Sequence, residues 1–194
     1  MDKQNLLEEC RRDVMECKRC VLWKTRKNVV FGQGKPEARI VFVGEAPGYN
    51  EDLKGIPFCG KAGEVLDILL SSINLKREDV YITNIIKCRP PENRDPEEEE
   101  IEKCTPYLER QIEIIKPSII CCLGRYSLRY FINRFSLKEK GSISTLHGRV
   151  MEIREGLFSS VKIVALYHPA VAVYDPNKLE LLKRDFHILS RFNL

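Results

Sequence analysis

The chain has 194 residues, 43% of them hydrophobic, and carries 32 Lys and Arg against 28 Asp and Glu, for a formal net charge of +4. That suffices for one core with no linker between separate units, so a single domain over residues 1–194 is expected; the near-balanced charge allows a local basic patch for nucleic acid and excludes a strongly basic chain. No apolar run is long enough to span a bilayer and the first residues open into a charged stretch rather than a signal peptide, so a cytoplasmic protein with no membrane partner is expected, whose eight cysteines stay reduced and, where grouped, ligate metal more often than they pair.

In chain order, Leu6, Leu7, Cys10, Val14 and Cys17 recur at helical spacing and predict a helix over residues 4–18, running into Cys17-Lys18-Arg19-Cys20. The β-branched run 39–43 predicts a first strand, followed by the turn Gly44-Glu45-Ala46-Pro47-Gly48. A helix over 62–75 and a strand over 80–84 come next. Asp95-Pro96-Glu97-Glu98 supplies a cap, a proline at the first helical position and acids for the dipole, which predicts a helix to about 116. A third strand over 118–124, a helix over 125–135, a fourth strand over 161–166 and a closing helix over 177–192 complete the pattern. Strands alternating with helices imply a three-layer α/β/α sandwich around a four-stranded, mainly parallel sheet, which presents ligands at the C-terminal ends of its strands.

Three of those ends carry polar, turn-prone loops: 44–48, Thr83-Asn84, and Tyr167-His168-Pro169-Ala170. Taken singly, the turn is a tight connection, Phe58 a core aromatic, Asn84 a turn residue and His168 a strand-end histidine. Together they fall on the face where a parallel sheet binds ligands. The cysteines divide similarly. Cys121 and Cys122 sit mid-strand and are read as small core residues. Cys17 and Cys20 form a C-x2-C pair that Cys88 and Cys104 can meet, clamping the start of the chain onto the body; spacing alone does not choose between zinc and an iron-sulfur cluster, and either would be structural.

The segments Gly44-Glu45-Ala46-Pro47-Gly48, Glu51-Asp52, 55–63 around Phe58, 81–94 from Tyr81 through Asn84 and Cys88 to Arg94, and His168-Pro169-Ala170 closely resemble the family 4 uracil-DNA glycosylases, along essentially the whole chain. The resemblance implies a monofunctional enzyme that flips uracil out of single- or double-stranded DNA, hydrolyses its N-glycosidic bond and leaves an abasic site. It implies a [4Fe-4S] cluster on Cys17, Cys20, Cys88 and Cys104. Phe58 would stack on the base, Asn84 bond its O4 and N3 edge, backbone at Ala46 hold other polar atoms, and Glu51 oppose the methyl group of thymine. His168 would donate to O2 as charge develops on the leaving base, and Glu45 would position the water.

In the related family 1 enzymes an Asp stands one place later, where this chain has Ala46. Lys61, Lys87, Arg89 and Arg94 are the expected phosphate contacts. Where the family often has a Leu-Leu-Arg-like wedge, this chain has Val171-Ala172-Val173-Tyr174, so Val173 or Tyr174 would take that place. A monomer is expected. Leu189 and Phe192 have a spacing faintly like sliding-clamp peptides, though helix packing explains them more simply. The rivals are a family 5 enzyme, whose first motif lacks the acid at Glu45, a non-catalytic nucleic-acid-binding module, and a zinc-stabilised structural protein.

Overall fold

A computed structural model describes residues 2–153 and 161–192. In chain order its elements are α1 (Lys3–Met15), β1 (Gln33–Gly34), β2 (Ile40–Gly44), α2 (Tyr49–Lys54), α3 (Lys61–Ser71), β3 (Tyr81–Asn84), α4 (Glu98–Ile115), β4 (Ile119–Leu123), α5 (Arg125–Arg134), α6 (Ile143–Leu146), β5 (Val150–Glu152), β6 (Lys162–Leu166), α7 (Ala170–Tyr174) and α8 (Leu179–Phe186), with short 3-10 turns between several of them.

The six strands form one mixed sheet in the order β1-β3-β2-β4-β6-β5. The four expected strands are its parallel centre, and the expected count is corrected by β1 and β5, which add antiparallel edges. Two and three residues long, with largely exposed side chains, these edges carry no periodicity that a sequence can display. Side chains of the central strands alternate between two cores. Val41, Val43, Ile120, Cys122 and Ile163 pack with α1, α4 and α5, whereas Phe42, Cys121, Leu123 and Val164 pack with α3, α7 and α8. Cys121 and Cys122 are therefore core residues on opposite faces. Phe42 stacks on Phe186 of α8 at 5.7 Å between ring centroids.

One further expectation changes at the helices. Helix α4 begins later than Asp95 and Pro96 suggested: Glu97 caps it, the Glu100 carboxylate accepts from the Glu97 N–H, and Asp95 pairs instead with Arg125. Leu189 is fully buried and Phe192 packs on the same core with Lys162 over its ring, as the helix-packing reading of that spacing expects. Among the described residues no helix is long and apolar enough to cross a membrane.

Register sets up the site. Gly44 pairs with Asn84 at the ends of β2 and β3, and the pairing continues as Ile85 and Ile86 donate to the carbonyls of Gly44 and Glu45. With His168 just beyond β6, Gly44, Asn84 and His168 emerge along one rim of the sheet.

Candidate active site

An open cavity of about 330 Å³ lies at that rim, lined among others by Glu45, Ala46, Gly48, Glu51, Phe58, Asn84, Arg94, His168 and Tyr174. Its floor depends on one glycine. A Cβ on Gly44 would stand 2.3 Å from Asn84 Oδ1 and 2.7 Å from the Phe58 ring, so only glycine lets the amide and the aromatic ring close over the end of β2. The Phe58 ring also faces His168, with centroids 5.5 Å apart and planes inclined by 29°.

Asn84 is only 2% exposed, and its Oδ1 has no hydrogen-bond partner. A buried acceptor left empty costs roughly 1–3 kcal/mol. Here it points to a ligand N–H that completes it. His168 complements this acceptor with a donor. The Ala170 N–H donates to His168 Nδ1 at 3.2 Å, so the neutral ring carries its proton on Nε2. Burial drives the His168 pKa down to about 4, with only partial opposition from Glu51, and the ring stays neutral across physiological pH.

Glu45 behaves oppositely. Burial, reinforced by Asp95 and opposed by Arg125, raises its carboxyl to about 7. A carboxyl poised there holds and releases protons near neutral pH. Glu51 was expected to face a ligand, and it lines the cavity while also bracing it. Its Oε1 accepts from the backbone N–H groups of Cys59 and Gly60 at 2.8 and 2.9 Å, and Oε2 accepts from Gly48 at 3.1 Å, which ties the turn after β2 to the Phe58 loop.

The expected phosphate contacts fare unequally. Lys61 is exposed at the first residue of α3. Arg89 lies over the Tyr49 ring and donates to Asn93, and Arg94, in the cavity wall, is held by both oxygens of Glu100. Tyr174 stands 89% exposed at the cavity mouth, with Val173 partly buried beside it.

Lys87 is a correction. It has no exposed surface, and its ammonium donates to Thr83 Oγ1, the Asn84 carbonyl and Gln111 Oε1 at 2.6, 2.8 and 2.7 Å, so it cannot reach a phosphate. Three acceptors compensate for burying the charge. Replacement by methionine is expected to lower unfolding free energy by about 3 kcal/mol, because those acceptors lose their donor while volume is kept. Urea denaturation checks this, and a loss below about 1 kcal/mol would mean that the buried ammonium contributes little net stability.

Sequence reasoning missed Arg77, in the 3-10 turn before β3. Its guanidinium donates to the carbonyls of Pro57, Phe58 and Gly63 and to Asp67. Lying 14 to 20 residues from those carbonyls, it gives no local signal.

A second site lies at the other end of the Asn84 segment. Cys17, Cys20, Cys88 and Cys104 line one tightly packed pocket with Leu22, Trp23, Ile86 and Tyr107 and the basic Arg19, Arg26, Lys87 and Lys103. Arg26 donates to Cys88 Sγ, and the Lys87 N–H to Cys104 Sγ, each at 3.2 Å. Burial pushes the Cys104 thiol up to about 12 and raises Cys20 and Cys88 too. Among the described residues, no three His, Cys, Asp or Glu side chains converge closely enough to hold one metal ion.

The family model described as the Uracil DNA glycosylase superfamily matches residues 31–190. The chain is 52% identical over 180 residues to the type-4 uracil-DNA glycosylase of Archaeoglobus fulgidus, covering 93% of this chain and 89% of that protein. It is 47% identical over 183 residues to the type-4 uracil-DNA glycosylase of Sulfurisphaera tokodaii, covering 93% and 81%. Similarity to the type-5 uracil-DNA glycosylase of Pyrobaculum aerophilum is lower, at 28% over 177 residues, covering 82% and 74%.

Proposed function

The chain belongs to the uracil DNA glycosylase superfamily, and from that premise we propose that it acts as a type-4 enzyme, hydrolysing the bond between uracil and deoxyribose in DNA and leaving an abasic site. The observation that carries this is the unpartnered, buried Asn84 Oδ1 beside the Phe58 ring. A flipped uracil has an N3–H to give that oxygen and an O4 to take the amide's N–H, whereas cytosine presents a bare N3 and an amino group. Phe58 stacks on the ring, and backbone at Ala46 meets its remaining polar edge. The Glu51 carboxylate, held by three amides, is a rigid wall against a methyl group, and rigidity matters because loss of fit alone discriminates one methyl weakly.

Chemistry follows from the two remaining groups. The neutral Nε2–H of His168 donates to O2 as negative charge gathers on the departing base. Ionised Glu45 orients water and offsets the positive charge that builds on the sugar. The absence of a lysine role in this scheme fits a hydrolase that stops at the abasic site. Lys61, Arg89 and Arg94 are the proposed phosphate contacts, with Val173 and Tyr174 at the place the base vacates. The protein works as one domain, as a monomer, in the cytoplasm.

The four-cysteine cavity suits a [4Fe-4S] cluster on Cys17, Cys20, Cys88 and Cys104. All four donors are thiols lining one pocket, and two of them accept N–H bonds of the kind that stabilise cluster sulfurs. The cluster would supply structure, pinning residues 17–20 to the segment that ends β3 and to α4.

Incubation with a uracil-containing oligonucleotide followed by alkaline cleavage tests the activity. Strand scission is expected only after alkali, with thymine-mismatch and undamaged duplexes left intact. No uracil release from purified, brown, cluster-bearing protein would refute the reading and favour a non-catalytic DNA-binding module.

A further inference from the structure

We propose that Arg77 is a positioning residue for the Phe58 ring and thereby sets the enzyme's affinity for the extruded base; this rests on the activity proposed above. Phe58 holds a backbone φ of 50°, in the left-handed region that side chains other than those of glycine and asparagine adopt at a cost. Such a conformation persists only where its surroundings over-determine it. Two constraints do so, both from behind the ring.

The first is Gly63 in the opening turn of α3. A Cβ there would stand 1.8 Å from the Phe58 carbonyl oxygen, so the carbonyl is packed directly against the helix backbone. The second is the guanidinium. Arg77 gives the Phe58 carbonyl a 2.5 Å hydrogen bond, adds bonds of 3.2 Å to Pro57 and Gly63, and is itself anchored to Asp67 on α3 at 2.5 Å. One planar, five-donor group thus joins both sides of the loop to the helix that follows it.

No atom of Arg77 is among those lining the cavity. Its influence travels through the Phe58 backbone, whose φ directs the ring toward Gly44 and His168. Without the guanidinium, the Phe58 carbonyl loses its donor, the residue relaxes toward negative φ, and the ring leaves the base site.

A double-mutant cycle tests this, read out as the inhibition constant of free uracil and as kcat/KM on a uracil-containing oligonucleotide. Arg77→Ala is expected to weaken free-uracil inhibition about tenfold, the scale of one base–aromatic stack, and to lower kcat/KM by a similar factor. In a Phe58→Ala background the same substitution should cost less than about twofold, since the ring it positions is gone. A general loss of stability would lower melting temperature equally in both backgrounds and would not erase the uracil-binding effect in one of them. Equal losses in both backgrounds, or none with Phe58 present, would overturn the assignment. Should Arg77→Ala fail to fold, Arg77→Lys, which keeps the charge but not the fork, passes through the same cycle with an expected loss of about threefold that again disappears with Phe58. Failure of the wild-type protein to release uracil in the same assay would instead refute the activity itself.

Discussion

Replacing His168 with alanine is expected to lower kcat by about 10²–10³-fold while KM for uracil-containing DNA changes by only a few-fold, measured by single-turnover and steady-state kinetics on one oligonucleotide. The asymmetry follows from when the bond matters. In the ground state, uracil O2 is an ordinary carbonyl and a neutral N–H donor binds it modestly. As the glycosidic bond stretches, O2 takes up negative charge, and a preplaced donor in a partly dry site gains strength where water would first have to reorganise. The Ala170 N–H fixes which ring nitrogen keeps the proton, and the depressed pKa of about 4 means that this donor is never an imidazolium under working conditions. Asparagine, which retains an N–H, should recover part of the loss. A kcat within tenfold of wild type in the alanine variant would remove His168 from transition-state stabilisation.

The second large effect belongs to Glu45. Its function requires the carboxylate, and its pKa is raised to about 7, so kcat/KM should climb as pH rises through that value and level off above it, falling about tenfold per unit on the acid side. His168 stays neutral throughout this window and contributes no limb. Glu45→Gln should cut turnover by about 10²–10³-fold, flatten the limb, and leave binding of uracil-containing DNA intact. A variant with full activity, or with an unchanged acid limb, would exclude Glu45 from the mechanism.

Much of this architecture is legible in the primary structure, for identifiable reasons. The four central strands are β-branched runs buried on both faces, and such runs stand out in any reading. Glu45, Asn84 and His168 attract attention because polar residues at the ends of parallel strands have few purely structural uses. Lys87 misleads for the complementary reason. A lysine between Ile86 and Cys88 looks like a surface residue until Gln111, from the facing helix, supplies an acceptor for it. Arg77 is equally silent, since its partners are backbone carbonyls whose positions no side-chain pattern encodes. The edge strands β1 and β5 are too short to have any pattern, and helix α4 starts at Glu98, capped by Glu97, because Glu100 turns back to that cap, outweighing the Asp95-Pro96 signal.

The interior ammonium of Lys87 has a bearing on how the sheet reaches its correct alignment. The segment carrying Asn84 runs beside the end of β2 through main-chain bonds, and main-chain bonds alone are indifferent to which residue faces which. An offset of one residue would invert every side chain and take the Lys87 ammonium away from its Gln111 acceptor on α4. Misaligned chains are thus penalised by several kcal/mol before any substrate is met. A charge buried away from the surface thereby favours the one register in which Asn84 lies opposite Gly44.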